Sequence, residues 1–268
     1  MWILFVDFSK AYDKVPRSML LHELKEAGCG KQFLTMIKAI YTCTKFIPKS
    51  AIISVSMGIK QGSPLSCLLF VFYLDKLVRK INTFGQDGFL GSLHALLLMD
   101  DTAIISTSRQ ACIKKLNLLL SFCSSHGMEV NESKTQFMVI NGDTENQTDI
   151  VCRNLVVQYC KCYWYLGSPI TDDAKPSSVM REHIKAKNKH VLKFVSFLRS
   201  NYNMPFIGKR KVAEACILSA LLCGVDTWLT SNFRELVVLY NNILSSLYWV
   251  FVGQLLMTFV ILRVVCLR

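Results

Sequence analysis

Two short apolar runs, 93–98 and 102–107, flank a tight turn that holds Asp100 and Asp101. Runs this short and this close together predict a β-hairpin, which puts two adjacent carboxylates at its tip. The chain begins on a related pattern. Trp2-Ile3-Leu4-Phe5-Val6 is an apolar run of aromatic and branched residues that reads as a buried strand, and it ends at Asp7. Strand ends and hairpin tips bring distant carboxylates to one rim of a sheet, so these acids constrain the fold more than any other feature.

The remaining elements follow from period and punctuation. Pro16 opens a helix with Leu20, Leu21, Leu24 and Ala27 at helical spacing, and Gly28 closes it. A second helix is predicted over 31–43, a third over 65–80 after Gln61-Gly62-Ser63-Pro64, and an amphipathic fourth over 109–126. Met128–Val130 and Thr135–Ile140 read as strands, 141–149 as a polar excursion, and Tyr163–Ile170 as strand and turn. From about 176 the pattern is helical, first basic (179–200) and then apolar (208–224). An α+β unit is therefore expected to about residue 170, followed by a helical unit.

Charge separates the two parts. Lys and Arg number 31 against 19 Asp and Glu, a net charge of +12. The excess lies in the second half, where Lys175, Arg181, Lys185, Lys187, Lys189, Lys193, Arg199 and Lys209–Lys211 face the single acid Glu182. Such a surface points to a polyanion, with an anionic membrane as the rival. With half the chain hydrophobic, wholesale disorder is excluded. The eleven cysteines have no regular spacing and no signal peptide precedes them, so they read as reduced core thiols of an intracellular protein, nuclear or cytoplasmic. Cys152, Cys160 and Cys162 come closest to a metal cluster but lack a fourth ligand at zinc-finger spacing.

Three segments carry chemistry together: Phe5-Val6-Asp7-Phe8-Ser9-Lys10-Ala11-Tyr12-Asp13, Gly58-Ile59-Lys60-Gln61-Gly62-Ser63-Pro64-Leu65-Ser66, and Leu98-Met99-Asp100-Asp101. Two or three carboxylates on one rim suit Mg2+, which prefers oxygen ligands and shares its shell with substrate phosphates. The order and wording of these segments resemble motifs A, B and C of the reverse transcriptases of LINE-type (non-LTR) retrotransposons. Gly127-Met128-Glu129-Val130-Asn131-Glu132-Ser133-Lys134-Thr135 resembles motif D, and Tyr165-Leu166-Gly167 the primer-grip turn of motif E. The basic helices, ending in Gly224-Val225-Asp226-Thr227-Trp228, resemble the thumb.

The resemblance covers roughly residues 2–230 and implies a right-hand polymerase palm, an antiparallel sheet with helices on one face, followed by a helical thumb. It implies a palm over 1–170, a thumb over 171–240 and a divergent hydrophobic tail over 241–268. The implied activity is template-directed DNA synthesis from dNTPs on RNA, with a DNA primer and two Mg2+ ions or Mn2+. Asp7 and Asp100 would be the principal metal ligands, with Asp101 beside them and Lys134 near the triphosphate. Tyr12 would be the steric gate against a 2′-hydroxyl, with Phe8, Gln61 and Gly62 at the nucleotide. Ser63, Met99, Leu166, Gly167, Arg181, Lys185, Lys189 and Lys193 would face nucleic acid. His183 and His190 read as phosphate-facing or neutral side chains.

Four departures from the family pattern stand out. Motif A begins at once, so a fingers region is expected from a separate chain. Leu98-Met99 replaces an aromatic–alanine pair before the aspartates. No endonuclease or terminal knuckle motif is present, so nicking also falls to a partner. Residues 243–262 carry no charge and are long enough to span a bilayer. That stretch has three readings: an aberrant end, a buried helix, or a membrane anchor. The alternatives to a polymerase are an inactive nucleic-acid-binding remnant and a tail-inserted membrane protein.

Overall fold

The computed structural model describes residues 1–42, 45–46, 53–54, 57–84, 89, 92–225, 234–243 and 245–246. They fall into two compact units, Met1–Tyr163 and Trp164–Arg268.

The first unit is built on a six-stranded sheet of order β4-β5-β1-β6-β8-β7. Its strands are β1 (Trp2–Val6), β4 (Ala95–Leu98), β5 (Asp101–Ser106), β6 (Gln136–Val139), β7 (Ile150–Cys152) and β8 (Leu155–Tyr159). A separate two-residue ladder joins β2 (Lys45–Phe46) to β3 (Ile53–Ser54). Central β1 pairs antiparallel with β5 (Leu4↔Ile104, Val6↔Thr102) and with β6 (Leu4↔Phe137). The expected antiparallel sheet holds through these strands, but β6 and β8 run parallel. After β6 the chain reverses into β7 and turns again at Arg153 (φ 54°), so β8 regains the direction of β6. The strand expected over Met128–Val130 shrinks to a single bridge, Phe8↔Val130.

Helices α1 (Arg17–Glu26), α2 (Lys31–Thr42), α3 (Pro64–Asn82) and α4 (Arg109–His126) pack against one sheet face. Trp2, Leu4 and Val6 of β1 share a core with Leu20, Leu24, Ile37, Phe70, Tyr73, Leu116 and Phe122 from these helices. α4 has the boundaries its sequence predicts. Ser108 accepts a hydrogen bond from the Ala111 amide at its start, and Gly127, with φ 67°, takes the left-handed position that ends it. The alternate side chains Ile3 and Phe5 are also buried, on the opposite face, where Phe5 stacks on Tyr163 at 4.0 Å and 4°. Asp7 continues that second face.

β9 (Cys162–Tyr165) forms a hairpin with β10 (Ser168–Thr171), and β10 packs on α5 (Pro176–Ser200). Leu166 and Gly167 make a two-residue turn with φ 52° and 81°, the positive pair of a type I′ hairpin. Asp173 ties the end of β10 to the start of α5 by accepting from Thr171, the Lys175 amide and Ser178. α6 (Phe206–Val212), a π-turn over Ala213–Leu218 and α7 (Ser219–Leu221) make up the expected apolar helix, and residues 234–243 are helical. Val191, Phe194, Leu198, Ala213, Ile217, Leu221, Leu239 and Ile243 form the core of this second unit. Among the described residues no helix is long and apolar enough to cross a membrane. The uncharged stretch lies outside the described residues from 247 onward.

Candidate active site

One register step beyond Val6↔Thr102 sets Asp7 opposite Asp101, on the sheet face away from the helices. Asp100 lies in the turn between β4 and β5, whose last pair is Leu98↔Asp101. Met99, the first central residue of that turn, has φ 58°, a backbone position more at home in a type II′ turn glycine. The three acids are close enough to feel one another. Partial burial, then the charges of Asp100 and Asp7, push the Asp101 carboxyl above its ordinary range. Among the described residues no three His, Cys, Asp or Glu side chains are gathered into one metal-ligand group. The aspartates share a rim, and Mg2+ is an ion that keeps one or two carboxylates and takes other oxygens from phosphate.

Asp7 is fixed through its backbone. Its amide donates to Thr135 Oγ1 (3.2 Å), and its carbonyl accepts from the Asn131 amide (2.8 Å). Thr135 is buried. Both partners lie in the motif D segment, which also places Lys134 Nζ 3.8 Å from Asp7 Oδ2. Lys134 is exposed, so it stands over the carboxylate with its ammonium in water.

The segment after β1 is joined to the glycine turn before α3. The Gly58 amide donates to the Val15 carbonyl and the Ile59 amide to the Tyr12 carbonyl, both at 2.8 Å. Arg17 spans Gly58 and Tyr41, donating from Nε to the Gly58 carbonyl (3.0 Å) and from Nη1 to the Tyr41 carbonyl (2.8 Å). Gln61 Nε2 donates to Asp13 Oδ1 (3.2 Å). Gly62 has φ 82° and no atom within 4 Å of where a Cβ would stand, so its backbone is open to approach. Ser63 is the residue at the start of α3.

Tyr12 stands between the two segments. Its ring stacks on Phe70 at 5.0 Å, and its hydroxyl donates to Cys67 Sγ at 3.9 Å. Burial first, then Cys67 and Asp100, push its phenol up to about 12, which places Asp100 within electrostatic reach of Tyr12. Phe8 does not join the rim through its side chain. Its ring is buried in the core, leaving only backbone to face a nucleotide.

In the second unit Leu166 is exposed at its hairpin tip, and Arg181, Lys185, Lys189 and Lys193 lie at four-residue spacing on the exposed side of α5. His183 is turned away from that side. It is buried, bonded to the Leu221 carbonyl at 2.9 Å, and burial lowers its pKa, so of its two expected roles the neutral one fits. The sequence did not single out Thr135, Arg17, Gly58 or Cys67 as members of this arrangement.

The first unit thus carries four helices on one sheet face and the acids Asp7, Asp100 and Asp101 at a rim of the other. Residues 1–196 match the family described as reverse transcriptase (RNA-dependent DNA polymerase), and the chain belongs to it. That family generally uses divalent metals.

Curated relatives include a Pol polyprotein of the type-2 retrotransposable element R2DM of Drosophila melanogaster, 24% identical over 56% of this chain and 15% of that protein. A Pol polyprotein of a type-1 element R2 from Bradysia coprophila is 26% identical over 58% of this chain and 19% of its own length. A putative 115 kDa protein of element R1DM, also from Drosophila melanogaster, is 22% identical over 84% of this chain and 22% of that protein. These relatives fit the LINE-type resemblance, and the chain spans about a fifth of their length. Among solved structures, telomerase from Candida albicans with a fragment of telomeric RNA aligns at a TM-score of 0.49 and 13% identity, covering 91% of this chain and 46% of that one. Apo telomerase from Candida tropicalis aligns at 0.44 and 14%, covering 93% and 46%.

Proposed function

We propose that this chain is the palm and thumb portion of a retrotransposon reverse transcriptase and extends a DNA primer on an RNA template from dNTPs. One observation carries the reading: the register continued one step past Val6↔Thr102 sets Asp7 opposite Asp101 on the face opposite α1–α4, with Asp100 in the adjoining turn. Three neighbouring carboxylates at one rim are hard oxygen donors, so the donor set fits Mg2+. When bound by Asp7 and Asp100, with Asp101 beside them, two such ions supply Lewis-acid activation and charge neutralisation to phosphoryl transfer.

The chain's own residues do the rest. The primer 3′-hydroxyl gives up its proton to a rim carboxylate or to water, and its oxygen forms a bond to the dNTP α-phosphorus as the bond to pyrophosphate breaks. Lys134 stands beside Asp7, where its ammonium can offset developing charge or give a proton to the departing pyrophosphate. Tyr12 fills the space a ribose 2′-hydroxyl would occupy, and Gln61 and the open backbone at Gly62 line the same approach. The exposed cations of α5 suit sequence-blind contact with duplex phosphates. The setting would be nuclear or cytoplasmic.

Primer extension on an RNA template with dNTPs and Mg2+ tests this. Asp7→Ala and Asp100→Ala should each lower the rate by at least about 10²–10³-fold, the scale for losing a principal source of charge stabilisation. An inert parent that still binds duplex would leave only a nucleic-acid-binding remnant.

A further inference from the structure

We infer that Cys67 is a positioning residue whose thiol tethers the Tyr12 phenol and so sets how strictly this site excludes a ribonucleotide. The inference rests on the polymerase reading above and concerns the same site. Cys67 and Phe70 are three residues apart on α3 and therefore share a helix face. That face meets Tyr12 twice. The fully buried Phe70 takes its ring at 5.0 Å, and Cys67 Sγ takes its hydroxyl at 3.9 Å. The Ile59 amide holds the Tyr12 carbonyl from the other side at 2.8 Å.

A gate works by being where the 2′-hydroxyl would go, so its selectivity depends on how firmly the ring is held. Phe70 fixes the ring's face but leaves it free to slide and tilt along the stacking surface. The hydroxyl–thiol contact removes that freedom at the far end of the ring. Sulfur is suited to this because its large, polarisable acceptor shell reaches a hydroxyl at a separation too long for oxygen. The raised phenol pKa keeps Tyr12 protonated, so the hydroxyl stays a donor throughout the neutral range.

The test compares incorporation of one matched dNTP and its rNTP by the parent, Cys67→Val, Tyr12→Phe and the double variant. Valine keeps the volume and removes the acceptor; phenylalanine keeps the ring and removes the donor. Each single change should raise kcat/KM for the rNTP relative to the dNTP by about threefold to tenfold, the worth of one net hydrogen bond. The change should appear mainly as a lower KM for the rNTP. The double variant should match either single one, because both remove the same hydrogen bond. An unmoved ratio after Cys67→Val, or effects that multiply in the double variant, would overturn the tether.

A parent that incorporates neither nucleotide overturns the polymerase reading instead. The tether is then read without catalysis, from the rate at which iodoacetamide alkylates Cys67, followed on the Cys67 peptide by mass. Tyr12→Phe should speed that reaction severalfold by releasing the sulfur. An unchanged rate would overturn the tether by itself.

Discussion

At Gly58 the backbone has φ 84°, and a Cβ there would stand 3.0 Å from the Asp13 carbonyl oxygen, which belongs to backbone and cannot swing aside. Gly58→Ala should therefore cost about 1–3 kcal/mol of stability, read as a lower urea midpoint with unchanged m. Because Gly58 and Ile59 hold the Tyr12 segment, the same variant should also weaken dNTP binding. Asp101 gives a prediction of opposite sign. Its folded carboxyl titrates higher than the unfolded one, so the folded chain keeps the extra proton between those two values. Stability falls as pH rises through that window and stays lower above it. Asp101→Asn removes that slope and should raise Tm at pH 7, by about 1–2 °C given solvent screening at an exposed rim. Calorimetry from about pH 3.5 to 7 checks the slope, and added Mg2+ should narrow the gap between parent and variant. The acids themselves were legible in the sequence, because a carboxylate at the end of an apolar strand is conspicuous. Thr135, Arg17 and Gly58 were not, since they act on the site through backbone amides and carbonyls that no residue pattern names.

α5 presents Arg181, Lys185, Lys189 and Lys193 to solvent and turns Met180, His183, Val191, Phe194 and Leu198 inward. If that face grips duplex, replacing the four cations by Gln should lower the slope of log K against log salt by about 0.7–0.9 for each phosphate no longer neutralised. Filter binding over about 50–200 mM salt measures it. A unit change in slope with only one residue replaced would identify a phosphate partner at that position; no change after all four would remove α5 from the binding surface. Helices could be read from sequence where a 3.6-residue period, a capping serine and a terminal glycine agree, as they do in α4 of the first unit. The β7–β8 hairpin could not. Its strands have three and five residues, too few to establish an alternation, and its turn uses Arg153-Asn154 in place of a glycine. The parallel pairing of β8 followed from that missed hairpin, because strand direction depends on how many times the chain reverses before it returns.

Among the described residues the two units carry separate cores, the second smaller than the first. In the first, strands and four helices bury aromatic side chains such as Trp2, Phe70, Tyr73, Phe122 and Phe137 in one cluster. In the second, the core among the described residues is a seam from Val191 to Ile243, and the unit also buries Lys209, whose pKa burial lowers and whose ammonium bonds the Tyr202 carbonyl. Apolar burial scales with core size, and a small core leaves little margin over chain entropy. Urea should therefore unfold the chain in two steps, the second unit first. The tryptophans separate the steps. Trp2 reports the first core, where it stacks on Phe137 at 5.6 Å, while Trp164 stacks on His183 at 6.1 Å in the second unit. Trp2→Phe should diminish the late fluorescence change, and Trp164→Phe the early one. A single transition shared by both variants would mean that the units unfold as one cooperative body. Duplex RNA–DNA then adds a further discrimination: if the basic face of α5 binds it, the early step should move to higher urea with increasing duplex, by the mass action that stabilises any folded state a ligand prefers.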